Sequence, residues 1–258
     1  MKIAVITGAS SGIGKQFALQ LKHHFDVDEA WLIARNRDRL DEVAQNMGVP
    51  ARIFCMDLTN KDDYAEYTEA LRTLSPDVAV LINCSGFGKF DAFTDTSPED
   101  ALGMIDLNCK ALTNMTALTL PFAGKGARIV NVASVAAYQP VPYIAVYAAS
   151  KSYVLSFSRA LNRELKSRGV SVTAVCPFWT KTAFFDRAVN KNDAPVVKKY
   201  VALYDPEKVV ARACKDAVRR REISIYGAKA RLQCFLTKIL PHSLVMNVWL
   251  SQQKLNKR

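Results

Sequence analysis

Short apolar runs alternate with longer segments of mixed polarity along most of the chain. The runs are five or six residues long and fall at 2–6, 30–34, 51–56, 78–83, 127–132, 170–175 and 222–226. Continuous apolar character is typical of strands that are buried on both faces of a parallel sheet. The segments between the runs are long enough for helices. The pattern predicts an α/β fold, a Rossmann-type doubly wound parallel sheet of about seven strands with helices on both faces.

The last 31 residues have a different pattern, which predicts two helices. The first carries an apolar stripe at helical spacing, formed by Leu232, Phe235, Leu236, Ile239 and Leu240. Pro241 is predicted to end it, and Ser243 to cap a second helix. The second helix carries Leu244, Val245, Val248 and Trp249. We therefore predict a main domain over 1–227 and a basic, amphipathic helical extension of that domain over 228–258.

The positive charge of the chain is concentrated near its C-terminus. The net charge is +11, and residues 219–258 hold nine Lys or Arg against one acidic residue, Glu222. The body therefore carries only +3, which argues against a nucleic-acid partner. Lys229, Arg231 and Lys238 interrupt the apolar stripe, so a membrane-spanning segment is not predicted. A peripheral membrane contact stays open, although packing on its own domain, the substrate cleft or a second subunit is the favoured interpretation.

Cysteine and histidine usage argues against a metal site. The six cysteines are scattered without a C-x-x-C spacing, and the chain has three histidines. This usage predicts no disulfide framework, no metal and reduced thiols in a cytoplasmic compartment. The N-terminus also lacks the basic and then apolar pattern of an export leader.

A glycine-rich segment directly follows the first predicted strand. It reads TGASSGIG over 7–14, and an amphipathic helix is predicted after it. Glycines here permit a tight turn and let a diphosphate approach the N–H groups of a helix N-terminus. The predicted dinucleotide contacts in this loop are Gly8, Ser10, Ser11, Gly12, Ile13 and Gly14. A glycine-rich turn without a ligand is the alternative.

The end of the second predicted strand bears on the choice of cofactor. An acidic residue at this position would bond the adenosine ribose, but the chain has Ala34 followed by Arg35. A guanidinium can bind a 2′-phosphate through charge-assisted hydrogen bonds. We therefore expect NADP(H) rather than NAD(H). The alternative is that Arg35 or Arg37 is merely solvated at a helix start, because the glycine loop supplies Ser11 and no second basic residue.

A tyrosine and a lysine stand four residues apart within a predicted helix over 145–168. Side chains at this spacing share a helix face, so Lys151 lies beside Tyr147. A nearby ammonium is expected to lower the pKa of the phenol toward neutrality. Tyr204 and Lys208 repeat the spacing, but Pro206 lies between them and suits a first helical position. That copy is predicted to be accidental.

Together these motifs resemble the short-chain dehydrogenase/reductase superfamily over about residues 5–182. The residues that carry the resemblance are TGASSGIG, the DL pair at 57–58, NCSG at 83–86, Asn108, Ser134, Tyr147 and Lys151. The resemblance implies a cofactor site that also includes Asp57, Leu58, Asn83, Gly86, Tyr147, Lys151, Pro177, Thr180 and Thr182. It further implies a homo-oligomer.

The resemblance also assigns catalytic roles. Tyr147 would exchange the proton with the substrate oxygen, and Ser134 would polarise the carbonyl. Lys151 would hold the nicotinamide ribose, and Asn108 would anchor a water. For Asn108, a hydrogen-bonded helix residue is the alternative. Phe178 occupies the position of the family's usual glycine, so a strained loop or an aromatic wall is expected there.

The sequence therefore predicts an NADP(H)-dependent oxidoreductase acting on a small-molecule carbonyl or alcohol. The tail is similar to those of some membrane-associated reductases of acyl or steroid substrates, which hints at a lipophilic substrate. Two other classes stay open. One is a dinucleotide sensor without turnover, and the other is a membrane-surface protein on the same fold.

Overall fold

Seven parallel strands form one sheet in the order β3-β2-β1-β4-β5-β6-β7. The computed structural model describes residues 1–189 and 195–255. The strands are β1 Lys2–Thr7, β2 Glu29–Ala34, β3 Ala51–Cys55, β4 Asp77–Asn83, β5 Arg128–Val132, β6 Ser171–Val175 and β7 Ile223–Ser224. The predicted α/β class, strand number and parallel sheet are confirmed. The predicted ends agree within one residue except at β7, which is shorter because it pairs only with Ala174 and Val175.

Ten helices accompany the sheet in the part of the chain that is described. They are α1 Gly12–Gln20, α2 Arg37–Asn46, α3 Tyr64–Leu74, α4 Pro98–Ile105, α5 Leu112–Thr119, α6 Ala145–Glu164, α7 Phe184–Ala188, α8 Pro206–Val218, α9 Ala228–Ile239 and α10 His242–Gln253. A π-helical turn, Asp106–Ala111, joins α4 to α5. The helix predicted over 145–168 is α6 with a final 3-10 turn at Leu165–Arg168.

Both faces of the sheet are buried, which explains the continuous apolar runs. In β1, Ile3 and Val5 pack with α3, α5 and α6, whereas Ala4 and Ile6 pack with α1, α2 and α8. Successive side chains of a strand point to opposite faces, so a strand covered on both sides must be apolar at every position. The helices on both faces therefore follow from the sequence pattern.

The strand order reverses between β1 and β4, and this places the functional cleft. From β1 the chain proceeds outward to β2 and β3, then returns to β4 on the other side of β1. The connections after β1 and β4 therefore leave the sheet in opposite directions. In such sheets the crevice at the carboxyl ends of these strands is the usual ligand site.

The C-terminal helices pack on the main domain, but not through the face that the sequence predicts. On α9 the buried residues are Ala230, Cys234 and Thr237. The predicted apolar stripe from Leu232 to Leu240 is exposed instead. Small side chains permit close approach of the helix to the 3-10 turn Val135–Tyr138, and the bulky stripe is left outside.

The second C-terminal helix begins two residues earlier than predicted, at His242. Its N-cap residue is Pro241, whose carbonyl accepts hydrogen bonds from the N–H groups of Leu244 and Val245. The prediction that Ser243 caps this helix is therefore wrong, because the first turn already closes on Pro241. Among the described residues, no helix is long and apolar enough to cross a membrane.

We predict that Gln253 stabilises the region around α10. Its side chain is 1% exposed, accepts from the N–H groups of Lys198 and Lys199 and donates to the Lys199 carbonyl. Gln253→Ala leaves these groups without partners and should lower the free energy of unfolding by about 2 to 3 kcal/mol, measured by urea titration. Gln252→Ala, at the exposed neighbouring position, should change it by less than about 0.5 kcal/mol. Equal effects would contradict this role.

Candidate active site

One cavity of about 850 Å³ lies at the carboxyl ends of the strands. It gathers nearly all of the predicted site residues. Those that line it are Gly8, Ser10, Ser11, Gly12, Ile13, Gly14, Arg35, Asp57, Leu58, Gly86, Ser134, Tyr147, Lys151, Pro177, Thr180 and Thr182. Asn83 and Asn108 do not line it. The motifs are far apart in the chain, and the fold brings them together in one cavity.

The glycine loop forms one end of the cavity. Gly8 has a φ of 67°, and a Cβ on Gly14 would collide with the carbonyl oxygen of Gly8. The end of β1 can therefore lie directly against the first turn of α1. Ser11, the N-cap residue, makes no side-chain capping bond. The first N–H groups of α1 are thus free of a side-chain cap beside the cavity, as an anionic diphosphate would require.

Two basic side chains lie on the adenosine side of the cavity. Arg35 Nη1 is 3.6 Å from Asp57 Oδ2. Burial acts to raise the pKa of Asp57, but hydrogen bonds from Thr59 and the charge of Arg35 outweigh it and lower this pKa. Arg39, from the first turn of α2, lines the same wall, whereas Arg37 does not. Sequence reasoning missed Arg39, although its position four residues after Arg35 was a usable signal.

Arg187 is a further cationic residue on the cavity wall that the sequence analysis does not predict. Arg187 in α7 stacks on the ring of Phe87, with its guanidinium carbon 3.5 Å from the ring centroid. Burial and then the nearby charge of Arg35 lower the pKa of Arg187. The segment after Thr182 therefore brings positive charge back toward the adenosine side. No sequence motif indicates this contact, because Phe87 and Arg187 are 100 positions apart.

Lys151 is buried beside the cavity, and Tyr147 is partly buried there. Lys151 Nζ donates to the Val132 carbonyl at 2.9 Å and lies 5.8 Å from the Tyr147 ring centroid. Burial lowers the pKa of Lys151 to about 8. Burial likewise raises the pKa of Tyr147 to about 12, and Ser134 only moderates this rise. The expected lowering of the Tyr147 pKa by Lys151 is therefore not found in this geometry, where burial dominates.

Ser134 stands at the end of β5 next to Tyr147. It is the N-cap residue of the 3-10 turn Val135–Tyr138, and its Oγ accepts from the Ala136 N–H at 3.1 Å. This bond fixes the hydroxyl oxygen at the turn. Ser134 and Tyr147, which the resemblance pairs, therefore meet on one wall of the cavity.

The two asparagines hold the surrounding loops. Asn108, in the π-helical turn, donates to the Phe87 carbonyl and to Ser150 Oγ and accepts from the Phe87 N–H. Both of its N–H bonds are therefore committed to structure. Asn83 donates to Thr116 and Asn131 in the interior. Its predicted role as a direct cofactor contact does not fit this placement, because its side chain points away from the cavity.

An aromatic cluster forms the substrate end. Phe90 lies at its centre, with ring centroids of Tyr147, Trp179, Phe184 and Phe185 within 6.5 Å. The predicted aromatic wall is therefore present and is packed at the same time. Phe178 also lines the cavity, and its φ is not positive. The backbone strain that was expected at this position is therefore not found.

The C-terminal extension completes the cavity. Gln233 from α9 and Trp249 and Gln252 from α10 line it. Trp249 stacks on Trp179 at 6.4 Å and donates from Nε1 to the Pro142 carbonyl at 3.0 Å. Residues beyond 227 therefore belong to the wall of the site, which the sequence pattern could not show.

The second Tyr-x-x-x-Lys copy lies away from the cavity lining. Tyr204 precedes α8, which begins at Pro206, and packs edge-on against Tyr226. Lys208 pairs with Asp205. The prediction that this copy is accidental is consistent with both contacts.

Within residues 1–189 and 195–255, no three His, Cys, Asp or Glu side chains cluster as a metal site would need.

We predict a pH-dependent stability difference that reports the burial of Lys151. Between about pH 8 and pH 10.5 the unfolded chain keeps a proton on Lys151 that the folded chain has lost, so the stability of the wild type rises with pH. Lys151→Met lacks this contribution. Wild type should therefore gain up to about 3 kcal/mol relative to the variant across this window, measured by urea unfolding. A constant difference would contradict the lowered pKa.

Comparison with known proteins is consistent with this geometry. The family described as short chain dehydrogenase matches residues 2–193. The chain is 31% identical over 264 residues to very-long-chain 3-oxoacyl-CoA reductase from Anas platyrhynchos, covering 97% of this chain and 80% of that protein.

Solved structures show the same architecture. A short-chain dehydrogenase from Sphingobium yanoikuyae in complex with NADPH has a TM-score of 0.76 and 28% identity, covering 93% of this chain and 96% of that one. A short chain dehydrogenase/reductase from Burkholderia phymatum in complex with NAD has a TM-score of 0.77, covering 91% and 92%. At 22% identity it supports the fold alone. Since the family match spans most of the chain, the protein belongs to the short-chain dehydrogenases and is an oxidoreductase.

Proposed function

We propose that the protein is an NADP(H)-dependent oxidoreductase that interconverts a carbonyl and an alcohol on a bulky, lipophilic substrate. The observation that carries the proposal is the meeting of Ser134, Tyr147 and Lys151 on the wall of one cavity. The glycine loop lies at one end of that cavity and the aromatic cluster at the other. A dinucleotide and an apolar substrate can therefore meet at Tyr147.

The residues of the cavity fit a nicotinamide dinucleotide. The first turn of α1 offers N–H groups to the diphosphate, and Gly8 and Gly14 let the end of β1 pack directly against that turn. Asp57 and Leu58 would border the adenine, and Lys151 the nicotinamide ribose. Pro177, Thr180 and Thr182 would hold the nicotinamide end. When bound, the cofactor supplies or accepts the hydride.

Tyr147 is suited to give a proton to a carbonyl oxygen. Its raised pKa keeps the phenol protonated at neutral pH, which is the form that reduction requires. Ser134 lies beside it and can donate its hydroxyl hydrogen to the same oxygen, since its Oγ already accepts from Ala136. Lys151, whose pKa burial lowers to about 8, can return a proton to the Tyr147 phenolate after the transfer.

The preference for NADP(H) is proposed from charge. The carboxyl end of β2 has no acidic residue, and Arg35 and Arg39 both line the adenosine side. The glycine loop offers no basic residue to a 2′-phosphate, but Arg39 in α2 supplies a second one beside Arg35. Two guanidinium groups can share a 2′-phosphate, whereas the ribose of NAD(H) offers them no anion. The NADPH complex of the Sphingobium yanoikuyae relative supports this preference.

The lipophilic substrate class is proposed from the aromatic end. Phe90, Trp179 and Trp249 present apolar rings to the region beside Tyr147, and such a surface binds apolar groups by their removal from water. The relative from Anas platyrhynchos is a very-long-chain 3-oxoacyl-CoA reductase, which supports a substrate with a long apolar part.

Compartment and assembly are parts of the same proposal. All six cysteines are free thiols, which supports a reducing, cytoplasmic location. Leu102 and Ile105 of α4 are 61% and 47% exposed, which supports a contact between copies of the chain in a homo-oligomer.

We predict that Tyr147→Phe abolishes turnover without loss of cofactor binding. Removal of the phenolic proton should lower kcat for a ketone at least about 100-fold. NADPH affinity, measured by fluorescence titration, should change less than about twofold. Tyr204→Phe is the matched control and should retain activity. Retained turnover in Tyr147→Phe would contradict the mechanism, and wild-type binding without turnover on any carbonyl would favour the sensor.

We also predict that Arg35 and Arg39 set the cofactor preference. Arg35→Ala and Arg39→Ala should each weaken NADPH binding about tenfold through loss of a charge-assisted bond, with little effect on NADH. Arg37→Ala, which removes the same charge outside the cavity lining, should change neither affinity. Fluorescence titration with both nucleotides checks this. A wild type that binds NADH as tightly as NADPH would overturn the preference.

A further inference from the structure

Helix α9 has two faces of opposite character. Ala230, Cys234 and Thr237 lie on the buried side. At about 100° per residue, Phe235 and Ile239 point about 130° and 170° away from the centre of that side. The helix therefore attaches to the domain through small side chains and turns its bulky apolar side chains outward. Packing on its own domain does not account for this stripe.

The exposed apolar side chains of α9 continue onto α10. We name this surface the outer face, and its members are Leu232, Phe235, Leu236, Ile239, Leu240, Leu244 and Val248. Their exposure ranges from 37% to 64%. Seven of the 17 large exposed apolar side chains of the described residues thus fall within 17 positions. Apolar side chains that are clustered in this way indicate an interaction surface, whereas single ones do not.

The charge around the outer face indicates the kind of partner. No acidic residue occurs from 223 to 258, and this stretch contains six Lys or Arg. On the α9 wheel, Lys229 lies on one side of the apolar stripe, and Arg231 and Lys238 lie on the other. A second copy of the chain would bring this positive charge against itself. An anionic lipid surface complements both the charge and the apolar stripe.

The same two helices border the substrate end of the cavity. Gln233 of α9 and Trp249 and Gln252 of α10 line the cavity from their inner sides. Val201, which is 42% exposed, also lines it and reaches the surface. Helices α9 and α10 therefore carry the outer face on one side and a part of the cavity wall on the other.

We propose that the outer face docks on an anionic phospholipid surface, with the apolar side chains inserted at the boundary between headgroups and acyl chains. Docking places the substrate end of the cavity beside the lipid, so that a lipophilic carbonyl compound passes from the bilayer interface into the cavity without crossing water. The entry route rests on the proposed function, whereas the docking itself does not depend on turnover.

The docking is tested by co-sedimentation of the full chain with phosphatidylcholine vesicles that contain or lack phosphatidylglycerol. Wild type should bind the anionic vesicles, bind neutral vesicles weakly, and lose binding as salt rises. The double variant Phe235→Ser/Ile239→Ser should bind the anionic vesicles at least about tenfold more weakly, because two apolar side chains no longer leave water. Lys229→Gln/Arg231→Gln should weaken binding to anionic vesicles only.

Two control variants match these changes elsewhere on the surface. Phe93→Ser removes a ring that is 69% exposed, and Arg163→Gln/Lys166→Gln removes two exposed charges at the end of α6 and in the 3-10 turn that follows it. Both should bind vesicles as wild type does. Equal losses in the controls, or no vesicle binding by wild type, would overturn the docking.

Two further readouts separate the remaining explanations. Light scattering after size exclusion should give the same mass for wild type and Phe235→Ser/Ile239→Ser, and a smaller mass for the variant would assign the outer face to a second copy instead. The variant should reduce a short, water-soluble ketone at the wild-type rate but a vesicle-embedded long-chain ketone more slowly. Vesicle binding without turnover on either ketone would leave docking standing and contradict the proposed function.

Discussion

The buried ammonium group of Lys151 constrains the centre of the structure. It donates to the Val132 carbonyl at the end of β5, and a Cβ on Gly86 would lie only 3.3 Å from it. The loop after β4 must therefore pass close to this charge without a side chain at Gly86. Asn108 holds that loop through both backbone groups of Phe87, and the π-helical turn brings it there. Asn108 Oδ1 and Lys151 Nζ together therefore leave no room for a side chain at Gly86.

The same burial sets the protonation states of the site. Removal from water lowers the pKa of Lys151 and raises that of Tyr147, since each shift favours the neutral form. The phenol is therefore protonated at neutral pH in this geometry. A lowered phenol pKa, as the spacing of the pair suggests, would need the ammonium at the hydroxyl rather than at Val132. The pKa values of Tyr147 and Lys151 therefore follow from their burial and from the Lys151–Val132 hydrogen bond, which their spacing in the sequence does not show.

The C-terminal helices connect the site with the surface. Trp249 is held by Trp179 and by the Pro142 carbonyl, so α10 is part of the cavity wall. Gln253 ties the same helix to the backbone at Lys198 and Lys199. Because the inner side of α9 uses Ala230, Cys234 and Thr237, its bulky apolar residues are left for the outer face. The same two helices therefore carry both a part of the cavity wall and the outer face.

The apolar runs are enough to predict the sheet, because strands buried on both faces are apolar at nearly every position. Ser134 is implied by the family resemblance, whereas the glycine-rich segment and the spacing of Tyr147 and Lys151 can be read directly from the sequence. The sequence also separated Tyr204 from Lys208 through Pro206. Only the tertiary structure placed Arg39 and Arg187 on the cavity wall, turned Asn83 inward and exposed the α9 stripe. These placements depend on packing between segments that are distant in the chain. On α9 the small residues, such as Ala230, are buried and the apolar stripe is exposed, and a periodic pattern alone does not show which face of a helix is buried.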